Sequence, residues 1–202
     1  VLVFPVLYDA ILSSEDKNFY SHGGVNLGAT VSAVIDNLKG TSSRGASTIS
    51  QQFVKNVLIQ ECEKDVSPSE ENYSEKLNAC WTDATQATGS EGIERKLQEM
   101  RYAIQIEKDY SKNDILLGYL NIANFGGQTY GIESASNYYF GTTAAKLTLP
   151  QAATLAGIVQ NPNRYRIDKP GGTGTDADGN PINGADDGYA ATKVRRDYVI
   201  KR

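Results

Sequence analysis

The sequence predicts a mainly α-helical protein. Apolar residues recur at helical spacing along most of its 202 residues, alternating β-branched runs are scarce, and the stretches between periodic segments are rich in glycine. With 40% hydrophobic and 22% charged residues, the chain has an ordinary globular composition and is long enough to bury a core as one domain or as two lobes.

Six helices are expected. The first covers residues 25–38 and stops before Gly40. The second, 47–59, carries Ile49, Phe53 and Val57 on one stripe and Thr48, Gln52, Lys55 and Asn56 on the opposite side. The third, 93–110, is the clearest, with Leu97, Met100 and Ile104 tracing a face that begins apolar and ends charged at Glu107 or Lys108. The others cover 113–122, 132–139 and 147–159. Two stretches read instead as insertions or loops. Residues 61–90 are rich in Glu, Ser, Thr and Asn, and residues 168–189 are dominated by Gly and Asp, so neither supplies much core. Asp176, Asp178 and Asn180 resemble part of a calcium loop but lack the downstream bidentate Glu, and are read as a solvated turn.

Charge and cysteine content exclude several function classes. A formal net charge of -4 and a pI near 5.1 argue against a broad nucleic-acid surface, so an anion site must be local. With one histidine and two cysteines the usual Cys/His zinc site cannot be assembled, and any metal would be held by oxygen. Cys62 and Cys80 are candidates for a disulfide, worth roughly 3 kcal/mol by loop closure in an oxidising compartment; two free thiols are the alternative. No run approaches the ~20 apolar residues that span a bilayer, and the start is broken by Pro5, Tyr8 and Asp9. The abrupt beginning and end, without a methionine, suggest a segment of a longer protein.

Three clusters carry chemistry. Glu15 and Asp16 follow an apolar segment and precede Phe19, His22 and a glycine break. A carboxylate emerging from an apolar edge can be tuned as a general base, although two acids there can equally cap a helix or pair with basic residues, and His22 can be purely structural. Next, Gly45 frees a turn after Arg44, and Ser47 or Thr48 can cap the helix that follows, whose start presents unpaired amides. The polar ridge of Thr48, Gln52, Lys55 and Asn56 suits a sugar and its phosphates; a solvated stripe is the alternative. Last, Arg95 and Lys96 lie four and three residues before Glu99, so all three heads can converge. Two cations around one acid would form a clamp for a pyrophosphate, while an exposed helix ion pair would look the same from sequence.

In this order the clusters closely resemble the peptidoglycan glycosyltransferase domain, glycosyltransferase family 51, found in class A penicillin-binding proteins and monofunctional transglycosylases. The resemblance continues through Tyr119-Leu120-Asn121, Gly126, Gly131-Ile132-Glu133 and Tyr139-Phe140-Gly141. Leu149, Ala152, Leu155-Ala156-Gly157, Asn161-Pro162 and Tyr165 extend it further, and Arg195-Arg196 looks like the closing Arg pair. It covers nearly the whole chain, as a single domain over 1–202. Ser50 stands where the family usually has threonine, and the segments holding the cysteines and preceding Arg195 are longer than the family leads one to expect.

The resemblance implies a lysozyme-like large lobe and a smaller membrane-facing lobe with a cleft between them. Glu15 would deprotonate the acceptor's 4-hydroxyl, and Glu99 would act as the second acid near the pyrophosphate. Arg44, Lys55, Arg95 and Lys96 would neutralise the leaving group, with Ser47, Thr48, Gln52 and Asn56 on sugar or phosphate oxygens, and with Asp16, Phe19, His22 and Asn121 in support. Some members of the family use a divalent cation, magnesium or manganese, at the pyrophosphate, and the same ion is an expectation here. The implied substrates are lipid II and the growing lipid-linked glycan chain, at the extracytoplasmic face of a bacterial cell membrane. A transpeptidase domain would follow in the parent protein. The alternatives are a lysozyme-like glycan hydrolase or lytic transglycosylase, and an inactive glycan-binding module.

Overall fold

The computed structural model describes residues 5–26, 28, 47–85, 89–168 and 189–202. Along the chain run α1 (Pro5–Glu15), α2 (Ile49–Lys64), α3 (Tyr73–Thr85), α4 (Gly89–Asp109), α5 (Lys112–Ile122), α6 (Ile132–Phe140), α7 (Leu149–Gln160), α8 (Pro162–Tyr165) and α9 (Ala190–Ile200), with 3-10 turns at Phe19–Ser21 and Ala144–Lys146. Among the described residues there is no strand, only an isolated antiparallel bridge between Asn124 and Tyr130. The chain divides into two compact units, one of Val1–Phe19 with Leu120–Arg202 and one of Tyr20–Tyr119.

The first unit is organised around α7. Thr148 caps this helix and forms a capping box with Gln151, each supplying an acceptor to the other's backbone amide. From Ala152 to Val159 every residue is buried, which is what an apolar helix enclosed on all sides requires. Helices α1 and α9 pack directly on it, with Leu7, Ile11, Leu155, Ile158 and Val199 in the shared core. Gly157 makes room for this packing: a Cβ there would sit 3.1 Å from Cγ of Arg195. At the other side, the turn before α6 is tightened by Gly126, Gly127 and Gly131, all at positive φ, and Tyr139 Oη donates to the Phe125 carbonyl at 2.7 Å.

In the second unit α2 packs against α3 and α4. Thr48 caps α2, again with a capping box, closed by Gln51. The core comprises Ile49, Val54, Ile59, Cys80, Ala103, Ile115, Leu116 and Tyr119. Phe53 is only half-buried and lies on Gly118, where a Cβ would meet its ring at 2.8 Å. After His22 the chain crosses the backbone of α4 so closely that a Cβ on Gly24, which is at φ 88°, would lie 2.5 Å from the Ala103 carbonyl oxygen. The expected stripe of Ile49, Phe53 and Val57 is therefore redistributed: neighbours on more than one side bury Ile49, Gln51, Val54 and Ile59 instead.

Four helices go beyond the sequence expectation. α1, the short α8 and α9 are not among the expected six, and α3 lies inside the polar segment 61–90 that reads as insertion or loop. The cause in α3 is a crosslink: Cys62 on α2 is disulfide-bonded to Cys80 on α3, with a Cα–Cα distance of 5.8 Å. Trp81 Nε1 adds a hydrogen bond to Glu63 Oε1 at 2.8 Å. Apart from residues 25, 26 and 28, the helix expected over 25–38 lies outside the described residues, as do the Asp176, Asp178 and Asn180 turn and nearly all of 168–189.

Helix α4 buries an unexpected face. Its apolar residues Ile93, Leu97 and Ile104 are 64%, 56% and 41% exposed, whereas Glu99 is 2% exposed and Ala103 fully buried. The face turned inward is the one carrying the acids. Glu107 on that face accepts from the Ser50 hydroxyl and from Lys112 Nζ at 2.8 Å.

Candidate functional site

A buried glutamate with two cations is costly unless its oxygens are fully paired, and α4 achieves the pairing within a single turn. Arg95, four residues before Glu99, donates from Nη1 to Glu99 Oε1. Lys96, three residues before, donates from Nζ to Oε2 at 2.7 Å and also to Ser47 Oγ at 2.7 Å, which joins α4 to the start of α2. These residues open onto a cavity of about 160 Å³ lined by Ser47, Gln51, Gln52, Lys55, Ala84, Arg95, Lys96 and Glu99. Three cations against one carboxylate leave a surplus of two positive charges in that lining. In a partly enclosed site such charges act on a ligand far more strongly than on a solvated surface.

The neutral lining adds donors. Gln52 Oε1 accepts from Tyr119 Oη at 3.0 Å, which fixes the amide's orientation. Gln51 is 1% exposed, its Oε1 is taken by Thr48 N at 2.9 Å, and its Nε2 has no hydrogen-bond partner among the described residues. Gln51 is the site residue that sequence reasoning missed. It lies three residues after Thr48 and four before Lys55, on the same helical face as the polar ridge, so the spacing itself was the signal that could have found it.

The structure thus brings Ser47, Gln52, Lys55, Arg95, Lys96 and Glu99 into one cavity. Thr48 is not in the lining: its Oγ1 accepts from Gln51 N at 3.2 Å and donates to the Gly24 carbonyl at 2.6 Å, so it holds the end of α2 in place. Asn56 is half-buried on α2 outside the lining. Arg44 lies outside the described residues. His22 packs with Lys112 and Glu107; its carbonyl accepts from Lys112 Nζ at 2.6 Å, and its Nδ1 is 3.9 Å from Glu107 Oε1.

The first unit holds the other acid. Glu15 ends α1, and its Oε1 accepts from Arg195 Nη2 at 3.0 Å, with both side chains largely buried. The guanidinium lies over the Tyr198 ring, 5.0 Å from the centroid. Arg195 belongs to the Arg pair read from the sequence, but only the packing of α9 on α7 reveals that its partner is Glu15. Asp16 is 7% exposed; its amide continues the helical pattern and its carbonyl accepts from Phe19 N at 3.0 Å, which seats the fully buried Phe19. Asn121 is exposed on the last turn of α5, and its carbonyl closes against Gly131, where a Cβ would be 2.7 Å away.

Around Glu99 stands one carboxylate with both oxygens engaged by cations, and no group of three or more His, Cys, Asp or Glu side chains gathers among the described residues. Charge compensation in the cavity comes from Lys55, Arg95 and Lys96.

Fold and site define a helical domain equipped with a cationic, carboxylate-bearing pocket and a separate arginine-held acid. A family model described as transglycosylase matches residues 3–180, and the chain belongs to that family. Among its relatives, penicillin-binding protein 2a of Streptococcus pneumoniae is 32% identical over 195 residues, which is 96% of this chain and 20% of that protein. The biosynthetic peptidoglycan transglycosylase of Shewanella oneidensis is 36% identical over 168 residues, 83% of this chain and 60% of the relative, and penicillin-binding protein 1A of Mycobacterium tuberculosis is 34% identical over 154 residues. The chain spans about a fifth of the pneumococcal protein and three fifths of the Shewanella one.

Proposed function

We propose that this domain polymerises lipid II into β-1,4-linked glycan chains with release of undecaprenyl pyrophosphate. The observation that carries the reading is the Glu99 cavity, where Lys55, Arg95 and Lys96 surround one acid beside Gln51, whose Nε2 has no hydrogen-bond partner among the described residues. The growing chain is the donor, α-linked through its anomeric carbon to a lipid pyrophosphate. As the C–O bond breaks, negative charge grows on the diphosphate, and preorganised cations stabilise that charge more in the transition state than in the ground state. Glu99 keeps the two helix cations in place instead of donating a proton, since pyrophosphate leaves without one.

Glu15 takes the proton from the acceptor's 4-hydroxyl as that oxygen attacks the anomeric carbon, and attack opposite to the leaving group inverts the centre. Arg195 orients the carboxylate and keeps it paired between turnovers. The names of the relatives, penicillin-binding proteins and biosynthetic peptidoglycan transglycosylases, agree with synthesis in preference to cleavage. The domain works at the outer face of the bacterial cell membrane, a placement supported by the Cys62–Cys80 disulfide and by the exposed Ile93, Leu97 and Ile104 stripe on α4. In the parent protein a transpeptidase domain follows.

The deciding experiment supplies labelled lipid II and, separately, finished cell wall. Glycan chains growing from lipid II are the expected result. Release of muropeptides from the wall without chain growth would establish a hydrolase, and binding of lipid II without turnover an inactive module.

A further inference from the structure

Helix α3 belongs to the segment that is longer than the family resemblance leads one to expect, yet it reaches the Glu99 cavity. Ala84, near its end, lines that cavity together with Lys55, Arg95 and Lys96. Cationic side chains from α2 and α4 form the other walls, so the methyl group of Ala84 is the small neutral surface on the α3 side. We propose that α3 is a size-determining wall of the pyrophosphate pocket, held in position by the Cys62–Cys80 disulfide, and that Ala84 sets how bulky a group can lie beside the diphosphate. The inference rests on the reading of this cavity as the leaving-group site.

The crosslink sits where it controls that wall. Cys62 follows Lys55 by seven residues, two turns along the same face of α2, and Cys80 precedes Ala84 by four, one turn along the same face of α3. The bond therefore joins the two faces that diverge toward the pocket. The apolar anchoring of α3 is small: among its described side chains Cys80 is the only one buried, and Trp81 Nε1 donates to Glu63 on α2. A helix with so little apolar burial opens locally at low cost once its covalent tie is cut. Thr85 leads within a few residues into Gly89, the start of α4, so the same tie also limits where Arg95 and Lys96 begin.

The test uses the oxidised protein and a water-soluble lipid II with a shortened prenyl chain, reading KM and kcat separately. Ala84→Leu adds three carbon atoms to the wall and raises KM for this substrate at least tenfold, with kcat within about twofold. Ala79→Leu, the same addition on the exposed side of α3, leaves both unchanged. Reduction of the wild-type disulfide raises KM several-fold, and reoxidation restores it, a recovery that general loss of fold would not show. A wild-type KM for Ala84→Leu in protein with unaltered far-UV circular dichroism would overturn the proposal. So would identical KM values for the reduced and oxidised wild type, an arm independent of any variant's folding. Wild-type protein that neither binds nor extends the substrate would defeat the leaving-group reading itself, a result distinct from activity that ignores Ala84 and the disulfide.

Discussion

Glu99 is buried and Glu15 half-buried, and each carboxylate is paired with an arginine. Both oxygens of Glu99 are engaged by cations, Arg95 on Oε1 and Lys96 on Oε2, whereas Glu15 accepts from Arg195 on Oε1. Glu15→Gln preserves shape and hydrogen bonding but removes the base, and polymerisation is expected to fall below a tenth of wild type with the melting temperature retained; activity above that level would deny Glu15 the role. For the cation set, Lys55→Ala or Arg95→Ala is expected to weaken the phosphoglycolipid antibiotic moenomycin by at least tenfold in a binding titration. In Arg95→Ala part of the loss reflects a buried acid stripped of a partner, a penalty of about 2 kcal/mol. A third residue-scale expectation concerns acid. Arg166 holds the Asp168 carboxyl down to about 2 from 3.8, with Tyr138 also donating to it at 2.8 Å. A lowered folded-state value means that the pair stabilises above pH ~4 and that this contribution disappears as pH falls through about 2. Asp168→Asn should flatten the acid limb of a stability-against-pH curve measured between pH 5 and 2.

At the scale of elements, helix α4 joins the two properties the protein most needs. Its inward face presents Ala103, Glu99 and Glu107 to α2, and its outward face presents Ile93, Leu97 and Ile104. Periodicity located this helix well, and the capping residues Ser47 and Thr48 located the start of α2, because both signals are local. The sequence did not reveal which face turns inward, since an apolar stripe ordinarily marks the core and here it is the solvent side. Helix α3 was illegible for a different reason: its order depends on a bond to Cys62, eighteen residues earlier, and not on its own hydrophobic pattern. Of the site, the convergence of Arg95, Lys96 and Glu99 was readable from i,i+3 and i,i+4 spacing. Ala84 and the Arg195 partner of Glu15 were not, because each depends on packing between elements distant in sequence.

For the whole molecule, the exposed apolar stripe has a collective consequence. No helix among the described residues is long and apolar enough to cross a membrane, so attachment through α4 would be peripheral and dependent on apolar side chains at the headgroup boundary. Leu97→Glu combined with Ile104→Glu is expected to reduce co-sedimentation with anionic phospholipid vesicles at least fivefold while leaving far-UV circular dichroism unchanged; equal sedimentation would place the contact elsewhere. The Glu15 to Arg195 pair spans 180 residues of chain. Ribosomes deliver the acid among the earliest residues of this segment and its counter-charge among the last, from the helix Ala190–Ile200. A nascent chain stalled before that helix would lack Arg195, so this ion pair closes only when the final turns have emerged and docked.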